Sequence, residues 1–127
     1  EKNIGQTMLK LYTENLVESA HDISLGGIIV AVSKMCFKGK KGIKIGKLRN
    51  LKNKFEYFFG EDQGRYIVEI KPENLKKVEE ILNNNSVHFD KLGLITKNDI
   101  EIEGETKSSI DELMKYNNNW MKNYILN

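Results

Sequence analysis

Two adjacent glycines, Gly26 and Gly27, separate the polar stretch Ser19-Ala20-His21-Asp22 from an apolar run, Ile28 to Val32. Glycine reaches backbone conformations closed to other residues and lets another group approach the main chain closely. A short strand ending in His21-Asp22, a turn through Ser24 to Gly27 and a buried segment beyond it make a shape that can face a phosphate. The first backbone N–H groups of a helix lack intrahelical partners and carry partial positive charge. The same residues also have a plainer use. Gly26 and Gly27 allow tight packing of a helix on a sheet, Asp22 or Ser24 caps that helix, and His21 is a structural histidine. The spacing matches neither Gly-x-Gly-x-x-Gly nor a Gly-Lys-Ser/Thr ending, so it is no dinucleotide or triphosphate fingerprint.

The surrounding pattern predicts an α+β domain, a mixed β-sheet packed by helices, spanning residues 1–127 as one unit. Met8, Leu9, Tyr12 and Leu16 recur at helical spacing and predict a core-facing helix over 6–18. Gly26 to about Phe37 is predicted helical, because Ile28, Val32 and Met35-Cys36 keep that period. Residues 38–54 carry three glycines and a lysine-rich tract, and predict an exposed crossover around a short strand, Ile43 to Ile45. Phe55 to Phe59 is an aromatic block best explained as core. A turn over 60–64 leads to a strand, Arg65 to Ile70, apolar on both faces, which predicts a covered sheet. Pro72 suits the first turn of a helix whose stripe is Leu75, Val78, Ile81 and Leu82, stopped by Asn83-Asn84-Asn85. Val87 to Thr96 and Ile100 to Glu103 predict two strands joined as a hairpin through Lys97-Asn98-Asp99. Ser109 with Glu112 is a capping box opening a last helix, with Leu113, Tyr116, Trp120 and Tyr124 on one side.

Composition narrows the class. A chain of 127 residues, 39% hydrophobic and 30% charged, can bury one core, and it holds no apolar run near the roughly 18–20 residues of a membrane span. The single cysteine, Cys36, sits in an apolar run and reads as a small buried hydrophobe in a reducing, cytoplasmic compartment. A start at Glu1-Lys2-Asn3 that runs straight into patterned sequence reads as a piece of a longer protein. The formal charge of +2 does not by itself argue for nucleic acid. The lysines of 38–54 are not interleaved with aromatics for base stacking, so the tract reads first as a solvated loop. His88 reads as an outward-facing strand residue, and two histidines and one cysteine at these spacings assemble no metal site.

A second constellation is Glu61, Asp62 and Arg65, close enough in one turn to pair with each other or to reach a neighbouring domain. Asp22 and Arg65 are both expected at strand ends, so the two motifs are expected to meet, with Arg65 bonded to Asp22 or to backbone carbonyls.

Ser19-Ala20-His21-Asp22-Ile23-Ser24 with Gly26-Gly27, followed by Phe58-Phe59-Gly60-Glu61-Asp62-Gln63-Gly64-Arg65-Tyr66 leading into a strand, resembles the phosphoribosylformylglycinamidine synthases. The resemblance is to the last domain of the synthetase subunit in its small form. The first element recurs across the wider aminoimidazole ribotide synthetase superfamily; the second narrows the choice. One departure stands out: Leu25 occupies a position where the family usually has Asp.

The resemblance implies a C-terminal domain of aminoimidazole ribotide synthetase type, partly ferredoxin-like, within an ATP- and Mg²⁺-dependent ligase of purine biosynthesis. It implies that His21, Asp22, Ser24, Gly26 and Gly27 lie nearest the ligand, and that Glu61, Asp62 and Arg65 are structural or interdomain residues. No catalytic residue and no metal ligand is expected in this chain, and no cofactor is expected to bind it tightly by itself. Implied partners are the preceding ATP-binding domains, a glutaminase subunit and a small accessory subunit, without nucleic acid or membrane. Two alternatives stay open: the equivalent domain of another synthetase of the superfamily, aminoimidazole ribotide or selenophosphate, and a basic module binding RNA or another polyanion.

Overall fold

The computed structural model describes residues 2–46, 53–62 and 64–125, with no side chains for 120–123. Gln63, part of the lysine-rich tract (47–52) and the side chain of Trp120 therefore lie outside the described residues. The elements run α1 (Lys2–Thr13), β1 (Ser19–Asp22), α2 (Gly27–Gly39), β2 (Gly42–Ile45), α3 (Lys54–Phe59), β3 (Tyr66–Glu69), a 3₁₀ turn (Pro72–Asn74), α4 (Leu75–Asn84), β4 (Gly93–Thr96), β5 (Asp99–Ile102), β6 (Thr106–Ser109) and α5 (Ile110–Ile125). This is an α+β fold, as predicted. The chain divides into two compact units, Glu1–Val32 with Phe55–Lys91 and Ser33–Lys54 with Leu92–Asn127.

In the first unit, Leu11, Leu16, Val78, Ile81 and Leu82 form the core, with Met8, Val17, Ile70 and Val87 packed against it. α1 starts four residues earlier than its apolar period predicts and ends at Thr13. Of the predicted stripe, Met8 and Leu16 face the core, whereas Leu9 and Tyr12 are exposed and Leu11 and Thr7 turn inward. Buried Thr7 satisfies its hydroxyl by donating to the Asn3 carbonyl at 2.8 Å. The stop is a Schellman closure: Asn15 takes φ 53, its N–H donates to the Tyr12 carbonyl, and the Leu16 N–H donates to that of Leu11. The motif returns Leu16 onto Leu11. α4 ends the same way, with Ser86 at φ 52 and the Val87 N–H on the Leu82 carbonyl. Its predicted stripe holds at Val78, Ile81 and Leu82, with Leu75 left partly exposed. Glu14 with Lys77 (2.8 Å) and Glu18 with Lys71 (3.0 Å) add ion pairs over this core.

β1 and β3 form an antiparallel ribbon with Asp22 opposite Tyr66 and Ser19 opposite Glu69. The covered sheet expected around 65–70 is not what forms. β3 pairs with β1 among the described residues, its residues are half-buried, and Tyr66 is exposed, because two strands leave both faces of a ribbon partly open. The aromatic block is α3. Phe58 is buried with Tyr57 edge-on to it, whereas Phe55 and Phe59 are exposed and stacked at 6.3 Å, so the expectation of a wholly buried block is corrected. One helical face holds only part of a continuous aromatic run.

The second unit holds a mixed sheet in the order β4-β2-β5-β6. Ile43, Ile45, Ile100 and Ile102 are buried on its inner face. The expected hairpin does not form, because β2 lies between β4 and β5, antiparallel to the first and parallel to the second. Gly42 makes the insertion possible: a Cβ there would stand 2.3 Å from both the Asp99 carbonyl oxygen and the Thr96 hydroxyl. The strand 43–45 is thus a buried central strand, not part of an exposed crossover. Residues 87–92 contain no strand, and β6, Thr106–Ser109, is a polar strand that its sequence did not announce. α5 begins directly after Ser109, where the capping box places it. Its side chain Ile110 is buried, whereas Tyr116 and Tyr124 are exposed. Cys36 is buried, as its apolar setting predicted. His88 is outward-facing, 3.3 Å from Asp90, though not on a strand.

Candidate functional site

The two motifs meet at one end of the β1–β3 ribbon. Beyond the Asp22–Tyr66 pair the Ile23 N–H donates to the Arg65 carbonyl at 2.8 Å, which extends the ladder and brings the loops after β1 and before β3 side by side. They border an open cleft of about 440 Å³ whose lining includes Asp22, Ser24, Leu25, Glu61, Arg65 and Tyr66. Leu25, 79% exposed, forms an apolar lip amid these polar groups, an unusual placement for a leucine that its sequence neighbours alone do not reveal.

Gly26 and Gly27 adopt φ of 85° and 69°, a succession that other residues adopt only with strain. A Cβ on Gly27 would come 2.5 Å from the Phe58 carbonyl oxygen and 2.7 Å from the Phe59 Cα. The second glycine therefore lets the start of α2 rest on the backbone of α3. Packing of helix against helix, rather than helix against sheet, is what this glycine allows. A small residue facing an aromatic block was the only sequence signal for the contact.

The backbone amides at the bend are engaged by the protein itself. The Gly26 N–H donates to Glu61 Oε1 at 2.8 Å, and the Gly27 N–H to the Ser24 carbonyl at 3.0 Å. The Glu61 carboxylate thus occupies the place where an anion would approach the Gly26 amide, a charge-assisted bond from one motif to the other. The meeting expected of Asp22 and Arg65 is achieved by this contact and by the backbone. Arg65 itself pairs with Asp62, Nη1 to Oδ2 at 3.2 Å, because Asp62 is three residues away in the same turn and Asp22 faces Tyr66.

His21 lies one residue before Asp22, and strand alternation places it on the other face of the ribbon; it does not line the cleft. Its Nδ1 stands 2.6 Å from the Asp22 carbonyl oxygen and 3.4 Å from Oδ1, so this ring is held locally. Of the predicted ligand-facing residues, Asp22 and Ser24 line the cleft, Gly26 and Gly27 follow its Leu25 lip in sequence without lining it, and His21 stands apart. At the far end of the ribbon the Ser19 hydroxyl donates to Glu69 Oε2 at 2.9 Å, a cross-strand pair from the first residue of the first motif to a residue beyond the second.

Of the two groups that the resemblance implies, neither fits these residues. Among the described residues no three His, Cys, Asp or Glu side chains are placed to share a metal ion. A triphosphate would have to displace Glu61 from Gly26. No step of chemistry through ATP or Mg²⁺ is assigned to this chain. No helix among the described residues is long and apolar enough to cross a membrane.

Known proteins give this geometry a context. Residues 1–104 match the family described as AIR synthase related protein, C-terminal domain. The phosphoribosylformylglycinamidine synthase subunit PurL of Pelagibacter ubique is 55% identical over 127 residues, 100% of this chain and 17% of that protein. The subunit of the same name from Bartonella henselae is 38% identical over 125 residues, 98% of this chain and 17% of that protein. The chain thus spans about a sixth of the length of these relatives. Among solved structures, T. maritima PurL complexed with ATP aligns with a TM-score of 0.75 at 20% identity, over 88% of this chain and 21% of that one. T. maritima PurL complexed with FGAR aligns with a TM-score of 0.75 at 21% identity, over 88% and 20% of the two chains. At such identity these two show a shared fold. By the family match over most of its length, this chain belongs to the AIR synthase related protein C-terminal domain family.

Proposed function

We propose that residues 1–127 act as one domain, the C-terminal domain of the synthetase subunit of a cytoplasmic phosphoribosylformylglycinamidine synthase. The observation that carries this reading is the 55% identity, over every residue of the chain, to a protein of that name. In it, the full enzyme uses ATP with Mg²⁺ to phosphorylate the formyl amide oxygen of formylglycinamide ribonucleotide. Ammonia released from glutamine then displaces phosphate, giving the amidine, ADP and phosphate. Phosphorylation turns a poor electrophile into a reactive one. Preceding ATP-binding domains of the same chain, a glutaminase subunit and a small accessory subunit are its partners.

Within that enzyme this chain forms a wall of the ligand cleft and supplies no catalytic group. Asp22 and Ser24 face the ligand from the loop before α2, with Gly26 and Gly27 following the Leu25 lip and His21 behind them. Glu61 ties the second loop to the first, and the Asp62–Arg65 pair braces the second loop from within. Domain junctions are where such clefts form.

The test is turnover by the full-length protein carrying these residues. Formylglycinamidine ribonucleotide is expected from formylglycinamide ribonucleotide, ATP and ammonia, and none from the 127-residue chain alone. Turnover by the isolated chain would overturn the reading. So would a full-length protein that ignores this substrate and instead closes the aminoimidazole ring or phosphorylates selenide.

A further inference from the structure

The two edges of the four-stranded sheet are unlike. β6 is polar, Thr-Lys-Ser-Ser, with Lys107 paired to Asp99 at 3.2 Å; a lysine on an edge strand discourages further strand pairing. Among the described residues, β4 at the opposite edge has no such guard. Leu94 and Ile95 are 62% and 51% exposed, and they project to opposite faces: Leu94 stands opposite Lys44 on the outer face, Ile95 opposite Ile43 on the inner one. A terminal strand directs half of its backbone amides and carbonyls away from its one neighbour. At the end of β4, Lys40, Lys41 and Lys97 border a shallow depression of about 530 Å³ with Ile95, Thr96 and Asn98, and no carboxylate lines it. The nearby acids Asp99 and Glu101 are engaged by Lys107 and Lys44.

We propose that β4 is a docking edge that receives an extended, acidic segment of a partner protein as an added strand. The added backbone pairs with the outward amides and carbonyls of 93–96, apolar side chains cover Leu94 and Ile95, and carboxylates meet Lys40 and Lys97. Charge decides the sign of the occupant, because the Lys40 and Lys97 cations at one end of an apolar strand favour a chain that alternates aliphatic and acidic residues. The surface suits a peptide better than a nucleic acid: no aromatic ring lines the depression for a base to stack on, and a strand edge complements another backbone. The proposal stands apart from the function above, since it involves neither the cleft nor its loops.

The experiment is hydrogen exchange on the full-length protein with the peptide acetyl-Glu-Val-Glu-Val-Glu-Val-Glu-amide, its lysine counterpart and a ten-nucleotide oligouridylate. The acidic peptide is expected to slow exchange at 93–96, and its affinity to fall about tenfold from roughly 50 to roughly 500 mM salt. Leu94→Lys, and separately Lys40→Glu with Lys97→Glu, are each expected to weaken binding by about tenfold or more. Exchange in β5, read in the same experiment, reports whether each variant keeps its sheet. Unchanged exchange at 93–96 with millimolar peptide overturns the proposal. Equal binding of the lysine peptide, protection by the oligonucleotide instead, or a dimer of the protein formed through 93–96 without peptide overturns it as well.

Discussion

The β1–β3 ribbon and the β4-β2-β5-β6 sheet contrast in how their strands are supported. In the sheet, central β2 and β5 each have a neighbour on both sides, and Ile43, Ile45, Ile100 and Ile102 are at most 8% exposed. In the ribbon each strand has one neighbour among the described residues, no residue of β1 or β3 is buried, and beyond the ladder, whose far end the Ser19–Glu69 side-chain pair joins, the fastening comes from the Ile23–Arg65 backbone bond and the Gly26–Glu61 bond. Two strands by themselves are marginal in water. The candidate site is thus built on the part that depends most on its loops, while the sheet is a self-supporting frame. Binding loops come from the low-stability end of a structure for that reason.

The largest effects test whether each region fails where this contrast says it should. Ile45→Ala, at a side chain with no exposed surface, is expected to cost roughly 2–5 kcal/mol in denaturant unfolding. Gly27→Ala is expected to destabilise by several kcal/mol, roughly at the top of the range for single substitutions, because it adds a left-handed β-carbon and a 2.5 Å clash with the Phe58 carbonyl. Exchange of amides in 19–27 should rise first in the glycine variant, and in 42–45 first in the isoleucine variant. A reversed pattern breaks the comparison.

A smaller effect separates the fastening from the fold. Glu61→Ala removes the acceptor of the exposed Gly26 amide and is expected to cost about 0.5–1.5 kcal/mol, with faster exchange at 23–27 and little change in the sheet. Glu61→Gln keeps an acceptor oxygen and should recover most of the loss. Equal losses in the two variants would mean that charge, not the hydrogen bond, holds the loops.

The smallest effect is in alkali. Burial raises the Tyr57 pKa above its ordinary value of 10.0; Asp90 adds to the rise and Arg65 opposes it. A raised value means that the folded state favours the neutral phenol. The stabilisation is complete below the unfolded value of about 10 and is lost as pH climbs through the folded one. Unfolding titrations of the parent and of Tyr57→Phe should run parallel below about pH 9 and separate above about pH 10, where the parent weakens further. Parallel curves throughout would show that this ring is open to water.

Much of this was legible in the sequence, and the misses share a cause. α2 and α4 followed from apolar period, Pro72 and the asparagine run; β2 and β3 followed from short β-branched or alternating stretches, and β1 was read as the short strand ending in His21-Asp22 before the glycine bend. The meeting of the two motifs followed from their places at strand ends. Of the stripe Met8, Leu9, Tyr12 and Leu16, Met8 and Leu16 do face the core but Leu9 and Tyr12 do not, because Leu11 takes the inner face of α1 and the bend at Asn15 returns Leu16 onto it. The 87–103 hairpin failed because a short connection is no proof of pairing when a third strand can enter between two ends. β6 has too few apolar residues to announce a strand and exists because β5 offers an edge.

The sequence by itself determined the α+β class, the glycine bend after His21-Asp22 and the family to which the chain belongs, because local periodicity, glycine sterics and motif spacing are properties of neighbouring residues. Only the tertiary structure decided that Glu61 takes the Gly26 amide, that Arg65 turns to Asp62, and that Gly42 admits β2 between β4 and β5. Each is a contact between groups whose distance in space follows from packing and register, and no pattern along the chain encodes which of several acceptors within reach an amide or a guanidinium will find.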